Sequence, residues 1–121
     1  YDNGGGIFST GNPLIKNTLF LHNFTRGRGA GICNFGGSLT IYCCWFDTNY
    51  GINNGGGIFN RNGSATIVKT VFTKNGSSRE HGGAIANNSS VVDICNSKFG
   101  GGEVFTGQQV TYFVTDCPKV G

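Results

Sequence analysis

A glycine-rich segment that ends in isoleucine recurs four times along the 121-residue chain. The copies are Gly4-Gly5-Gly6-Ile7, Gly29-Ala30-Gly31-Ile32, Gly55-Gly56-Gly57-Ile58 and Gly82-Gly83-Ala84-Ile85. The successive isoleucines are 25, 26 and 27 residues apart. A period of this length is typical of a repeat protein, in which each unit buries its apolar face against the next.

Two more apolar columns accompany the glycine motif. The first contains Ile15, Ile41, Ile67 and Ile94, and a phenylalanine follows each of these after five residues, at Phe20, Phe46, Phe72 and Phe99. Short runs such as Leu39-Thr40-Ile41 alternate as strands do, and no window has a helical period. The sequence therefore predicts an all-β fold, a right-handed parallel β-helix of about four coils of 25–27 residues.

Asparagine recurs in two further columns. The columns are Asn23, Asn49 and Asn75, and Asn34, Asn60 and Asn87. An asparagine amide can bond to its equivalent in the next coil and also tolerates a left-handed corner. We therefore expect structural ladders here. The glycine runs lack the Lys-Ser/Thr of a phosphate-binding loop, so we expect them to form turns.

The repeat pattern breaks after Phe99. Gly100-Gly101-Gly102 lacks the expected asparagine, and the apolar runs 104–105 and 110–114 fall out of register. Terminal units of solenoids often deviate to cover open strand edges, so we expect coils over residues 1–99 and a C-terminal cap or tail over residues 100–121. The start at Tyr1, directly before a repeat motif, indicates a processed or partial chain of a longer protein.

The cysteines and sequons bear on the compartment. The five cysteines lack the C-x-x-C spacing of a zinc or redox site: Cys33, Cys43, Cys44, Cys95 and Cys117. They can form up to two disulfides in a secreted protein, with Cys117 pinned to Cys95, or they can be buried thiols of a cytosolic core. Candidate glycosylation sites are Asn23, Asn62, Asn75, Asn87 and Asn88. Together these features favour an extracellular or cell-surface location.

The charge pattern restricts the partners. The net charge is +3, without a run of like charges, so we expect no nucleic-acid partner, and no segment is apolar and long enough to cross a membrane. By alignment, four basic residues fall on one corner: Arg26, Arg28, Lys74 and Arg79. They form a candidate site for an acidic polysaccharide or a sulfated glycan, and such binding should weaken as salt is raised.

Catalysis is not predicted, although parallel β-helices include polysaccharide lyases and hydrolases. Those reactions need clustered carboxylates, whereas Asp47, Glu80 and Asp93 fall in three different columns. The two histidines, His22 and His81, have no plausible triad partner. We therefore expect no catalytic residue, no metal and no cofactor.

The repeats resemble those of the chlamydial polymorphic outer membrane proteins, which carry G-G-A-I and F-x-x-N motifs. The matching residues are Gly82-Gly83-Ala84-Ile85 with its three variants, and Phe20-Leu21-His22-Asn23, Phe46-Asp47-Thr48-Asn49 and Phe72-Thr73-Lys74-Asn75. The resemblance, which covers roughly residues 3–99, implies a surface-exposed, adhesin-like solenoid without catalysis, and it transfers no binding residue.

The function predicted from the sequence is a non-catalytic structural or adhesion module at a cell surface or in an extracellular assembly. A carbohydrate-binding or polysaccharide-processing β-helix is the alternative. The expected partners are further β-helix coils or a second copy stacked end to end, and also glycans or surface proteins.

Overall fold

The computed structural model describes residues 5–53, 55–77, 83–88, 91–100, 105–106 and 110–113. Within these residues the secondary structure consists of short β-strands, with no helix. The first turn contains β1 (Ile7–Ser9), β2 (Leu14–Lys16), β3 (Leu19–Leu21) and β4 (Phe24–Thr25). The second turn contains β5 (Ile32–Phe35), β6 (Ser38–Tyr42), β7 (Trp45–Asp47) and β8 (Tyr50–Gly51).

The later turns repeat this order. The third turn contains β9 (Ile58–Arg61), β10 (Ser64–Val68), β11 (Val71–Thr73) and β12 (Gly76–Ser77). The fourth contains β13 (Ile85–Asn88), β14 (Val91–Cys95) and β15 (Lys98–Phe99), and it is followed by β16 (Phe105–Thr106) and β17 (Val110–Phe113).

Equivalent strands of successive turns pair in parallel to form four sheets. The first sheet has the order β1-β5-β9-β13-β16, the second β2-β6-β10-β14-β17, the third β3-β7-β11-β15 and the fourth β4-β8-β12. The predicted parallel β-solenoid is therefore confirmed, with about three turns that contain a strand of every sheet. The fourth sheet was not predicted, because its two-residue strands carry no apolar alternation.

The predicted apolar columns are confirmed by the strand register. Ile32 pairs with both Ile7 and Ile58, and Ile67 lies between Ile41 and Ile94. The phenylalanine rings stack from turn to turn with centroid distances of 4.5, 4.9 and 4.9 Å. Each buried side chain of this size contributes roughly 1.5–3 kcal/mol. The core is thus a set of like-on-like stacks inside the solenoid.

Both asparagine ladders are confirmed as well. Asn23 Nδ2 donates to Asn49 Oδ1 at 2.9 Å, and Asn49 Nδ2 donates to Asn75 Oδ1 at 2.8 Å. The backbone N–H groups of Asn23 and Asn49 donate to the same two oxygens. In the second ladder, Asn60 accepts from Asn34 at 2.6 Å and donates to Asn87 at 3.0 Å. The buried amides therefore connect the turns along the solenoid axis.

Left-handed backbone conformations mark the corners in register. Asn17, Cys43, Lys69 and Asn96 have φ values of 51, 55, 50 and 47°, and His22, Thr48 and Lys74 have φ values of 56, 56 and 55°. A β-branched residue such as Thr48 seldom adopts a positive φ. Its N–H donates to the carbonyl of Thr73 in the next turn at 3.0 Å. Bonds between turns thus impose one corner geometry on different residue types.

Glycine is required where neighbouring turns come closest. A Cβ atom on Gly31 would lie 2.5 Å from the carbonyl oxygen of Gly57 and 2.8 Å from the Phe46 ring. The repeated glycine motif therefore permits close backbone approach between turns, in addition to turning the chain.

The expected C-terminal cap falls only partly within the described residues. Phe105 pairs with Ile85 and Tyr112 pairs with Ile94, so β16 and β17 extend the first and second sheets. These partners are 20 and 18 positions apart, which is shorter than the earlier period. Because of this shorter spacing, the segment does not align with the 25–27-residue repeats in the sequence. The other residues of 101–121 lie outside the described part.

The second ladder generates a stability prediction. Ser9 occupies its first-turn position, and Asn34 Oδ1 is buried there without a hydrogen-bond partner. Ser9→Asn would supply an amide donor, so we expect the free energy of unfolding in urea to rise by about 1 kcal/mol. Ser9→Ala is the matched control, and equal stabilisation by both variants would contradict the ladder explanation.

Candidate binding surface

The large apolar side chains exposed among the described residues lie in the first two turns. They are Phe8, Leu14, Leu19, Leu21, Phe24, Trp45 and Tyr50. Five of them lie on the third and fourth sheets, and we call this set the aromatic face: Leu19, Leu21, Phe24, Trp45 and Tyr50. Clustering of this kind on an otherwise polar surface is typical of a binding site.

The aromatic face is built from neighbouring positions on adjacent turns. Trp45 pairs with Leu19 on the third sheet, and Tyr50 pairs with Phe24 on the fourth. The Phe24 and Tyr50 rings are nearly parallel, at an interplanar angle of 1°, with their centroids 6.1 Å apart. Their exposed fractions are 59% and 39%, so this aligned pair is open to a ligand.

Trp45 is held in place by a short hydrogen-bonded chain. Its Nε1–H donates to Thr73 Oγ1 at 2.8 Å, and the Thr73 hydroxyl donates to Asp47 Oδ1 at 2.6 Å. Thr73 belongs to the next turn, directly beside Asp47 on the third sheet. The indole therefore has a fixed orientation while 44% of the residue stays exposed. An aromatic ring that is already ordered loses little entropy on binding.

Cationic side chains lie on the same sheets as the aromatic face and at their ends. Lys98 continues the column of Leu19, Trp45 and Val71, and Lys74 lies at the corner between the third and fourth sheets. Arg26 directly follows β4, and all three basic residues are exposed. Over all described residues there are seven Lys and Arg against two acids, Asp47 and Asp93. The described surface therefore favours an anionic partner.

The predicted basic corner is more dispersed than the alignment indicated. Lys74 shares a column with His22 and Thr48, before the fourth sheet, whereas Arg26 lies after that sheet. The Arg28 guanidinium lies 5.3 Å from the centre of the Phe59 ring, over an outer apolar cluster of Cys33, Phe59 and Ala86. Arg79 lies outside the described residues. The structure does not bring the described three, Arg26, Arg28 and Lys74, into one column.

The cysteines are placed in different environments. Cys33, Cys43 and Cys44 are free thiols, so the structure forms none of the candidate disulfides among these three. Burial raises the pKa of Cys33 to about 11, against a smaller lowering by Arg28, and burial also raises the pKa of Cys44. Cys95 is not one of the free thiols. Cys117 lies outside the described residues, so its pairing with Cys95 stays a prediction.

The candidate glycosylation sites differ in accessibility. Asn75 and Asn87 are buried, and Asn23 is part-buried, with its Nδ2 committed to the first ladder. Asn75 Nδ2, the atom that would carry a glycan, donates to the Phe46 carbonyl at 2.9 Å. Asn62 and Asn88 are exposed. Of the five candidates, these two are therefore the exposed residues.

The described acids do not form an obvious reaction centre. Asp47 lies on the third sheet and Asp93 on the second, while His22 is exposed at a corner. Glu80 and His81 lie outside the described residues. In the part of the chain that the structure describes, no group of three His, Cys, Asp or Glu is placed to hold a metal ion. The described residues also include no helix able to cross a membrane.

Comparison with known proteins adds no assignment. No protein-family model, curated protein or solved structure matches this chain.

Sequence reasoning did not identify the aromatic face. Its members vary from repeat to repeat, so a search for recurring residues passes over them. The available signal was positional, because Leu19 and Trp45 each precede a core phenylalanine, and Phe24 and Tyr50 each follow a ladder asparagine. Strand alternation places such neighbours of inward residues on the outside.

The buried Cys33 thiol generates a pH prediction. In the unfolded chain the thiol loses its proton near its ordinary pKa of 9.0, whereas the folded chain keeps it to about 11. Its contribution to stability is complete below pH 9 and is lost as pH rises toward 11. The free energy of urea unfolding of the wild type should therefore fall over this range relative to that of Cys33→Ala. A constant difference between the two proteins would contradict the prediction.

Proposed function

We propose that the chain is a non-catalytic β-solenoid module, structural or adhesive, at a cell surface or in an extracellular assembly. The observation that carries this proposal is the separation of two kinds of side chain. The ladder asparagines are used to hold the turns together, while large aromatic and aliphatic side chains are exposed on the outside of the third and fourth sheets. A rigid scaffold with an adhesive face fits this arrangement.

Two further considerations support the same proposal. The G-G-A-I and F-x-x-N motifs that resemble the polymorphic outer membrane protein repeats occupy core and ladder positions. They are therefore needed for the fold, and the proposed membership of that repeat family rests on them. Of the two carbohydrate alternatives, binding is favoured by the exposed rings. Processing is less favoured, because the described acids Asp47 and Asp93 lie on different sheets.

A sugar-release assay tests the absence of catalysis. We expect neutral and acidic polysaccharides incubated with the chain to show no new reducing ends and no unsaturated products above the buffer blank. The variant Asp47→Asn is the matched control, because it shows whether any product comes from a reaction at the aromatic face. Product formation by the wild type that is abolished in Asp47→Asn would overturn the non-catalytic proposal.

We also propose that the first turn associates with another solenoid turn, supplied by a second copy or by further coils. Strands β1, β2, β3 and β4 each lie at the end of their sheet, all on the same side of the solenoid. Edge strands of this kind present backbone groups that can pair with another chain. The adjoining exposed side chains, Phe8 and Leu14 among them, add apolar area to this end.

Substitution at Leu14 tests this association. The Pro13 carbonyl accepts from Thr40 N–H at 3.0 Å, so the alternating geometry of a parallel strand directs the Leu14 N–H to the open edge. Leu14→Pro removes that donor, and we expect it to weaken concentration-dependent self-association in sedimentation velocity. Leu14→Ala keeps the N–H and is the control. A wild type that stays monomeric at every concentration would contradict pairing between copies.

A further inference from the structure

We propose that the aromatic face binds an acidic polysaccharide, with sugar rings on Trp45, Phe24 and Tyr50 and with anionic groups toward Lys74, Lys98 and Arg26. This inference rests on the proposed function as a non-catalytic surface module and names the partner of its adhesive face. It differs from the corner site predicted from the sequence, because its centre is aromatic and lies on the third and fourth sheets.

The rings supply the apolar part of the site. Sugar rings present C–H groups on their flat faces, and exposed aromatic rings accept such contacts through their negative faces. Phe24 and Tyr50 are aligned to within 1°, and Trp45 belongs to the same second turn as Tyr50. The centroids of the Phe24 and Tyr50 rings are 6.1 Å apart, so the exposed parts of the two rings can contact consecutive parts of one extended chain.

The hydrogen-bonded chain behind Trp45 supplies orientation and a polar group. Thr73 fixes the indole N–H, and Asp47 fixes Thr73, so the ring faces are presented in one orientation. The Asp47 carboxylate has a second oxygen, Oδ2, and Asp47 pairs with Leu21 of the aromatic face. A carboxylate oxygen accepts hydrogen bonds, and sugar hydroxyl groups are suitable donors. The site therefore combines flat apolar rings with an acceptor.

Charge complementarity identifies the class of polysaccharide. Three exposed cations flank the face, whereas Asp47 is the one acid of the described residues on these two sheets. Uronate or sulfate groups match the cations, and the free hydroxyls of the same polymer match Asp47. A nucleic acid would also match the cations and would bring donors on its bases, but the described cations form no continuous basic stripe of the kind that follows a phosphate backbone, so a glycan is favoured.

The fluorescence of Trp45 provides a direct assay, because the chain contains one tryptophan. We would titrate the whole chain at low salt with polygalacturonate and with dextran sulfate, and separately with neutral dextran and with single-stranded oligothymidine. We expect a saturable change of emission with at least one of the two acidic polysaccharides. This change should weaken strongly in high salt, where the ionic contacts are screened.

Matched variants locate the binding. Tyr50→Ala removes one ring of the stacked pair, and Lys74→Gln/Lys98→Gln removes two cations; each should weaken binding by about 3- to 10-fold. Leu14→Ala and Lys16→Gln change the second sheet and should leave the affinity unchanged. All four are changes of exposed side chains, and circular dichroism with thermal melting would check that each variant is folded.

The possible results separate this inference from the proposed function. Equal binding of neutral dextran, or binding that favours oligothymidine, would overturn the acidic-polysaccharide assignment. A folded wild type whose Trp45 emission changes with neither of the two acidic polysaccharides would also overturn this assignment. In that case the absence of sugar release would leave the non-catalytic proposal standing. Sugar release with intact binding would overturn only the non-catalytic proposal.

Discussion

In-register parallel pairing of one turn on the next is the constraint on which the rest of this structure depends. It brings each inward side chain against its own equivalent, so that Phe46 stacks between Phe20 and Phe72 at 4.5 and 4.9 Å. It applies equally to polar groups, since Asn49 accepts from the turn before it and donates to the turn after it. A position that must satisfy two neighbours at once cannot vary independently of them. The repeated sequence is the direct result.

Outward positions are free of this constraint, and their composition shows it. On the third sheet the inward column contains only phenylalanine, from Phe20 to Phe99, whereas the outward column beside it contains Leu19, Trp45, Val71 and Lys98. Corner positions are also variable, because hydrogen bonds between turns fix the left-handed backbone of Thr48 as they do that of His22. Chemistry specific to this chain can therefore accumulate on the outer face without loss of the fold.

This division also explains what could be predicted from the sequence. The isoleucine, phenylalanine and asparagine columns were predictable because the pairing forces the same residue to recur. The fourth sheet was not, because Gly76–Ser77 has no apolar alternation. The pairing of the strands after Phe99 with the first and second sheets was also missed, because that turn is shorter. The aromatic face was missed for a different reason. Trp45 and its hydrogen-bond partner Thr73 are 28 residues apart, and neither is a recurring residue of a repeated motif.

The direction of the asparagine ladder adds a restriction on how the solenoid can be extended. Asn23 uses both its backbone N–H and its Nδ2 as donors to Asn49, which leaves its Oδ1 as the acceptor on the side of the first turn. A turn added there must therefore present donors at this position. An asparagine in the same column supplies two, the backbone N–H and the side-chain amide, as Asn49 does toward Asn75. The open edge is thus chemically suited to a turn built like those already in the chain, and less suited to an arbitrary β-strand that pairs only through its backbone.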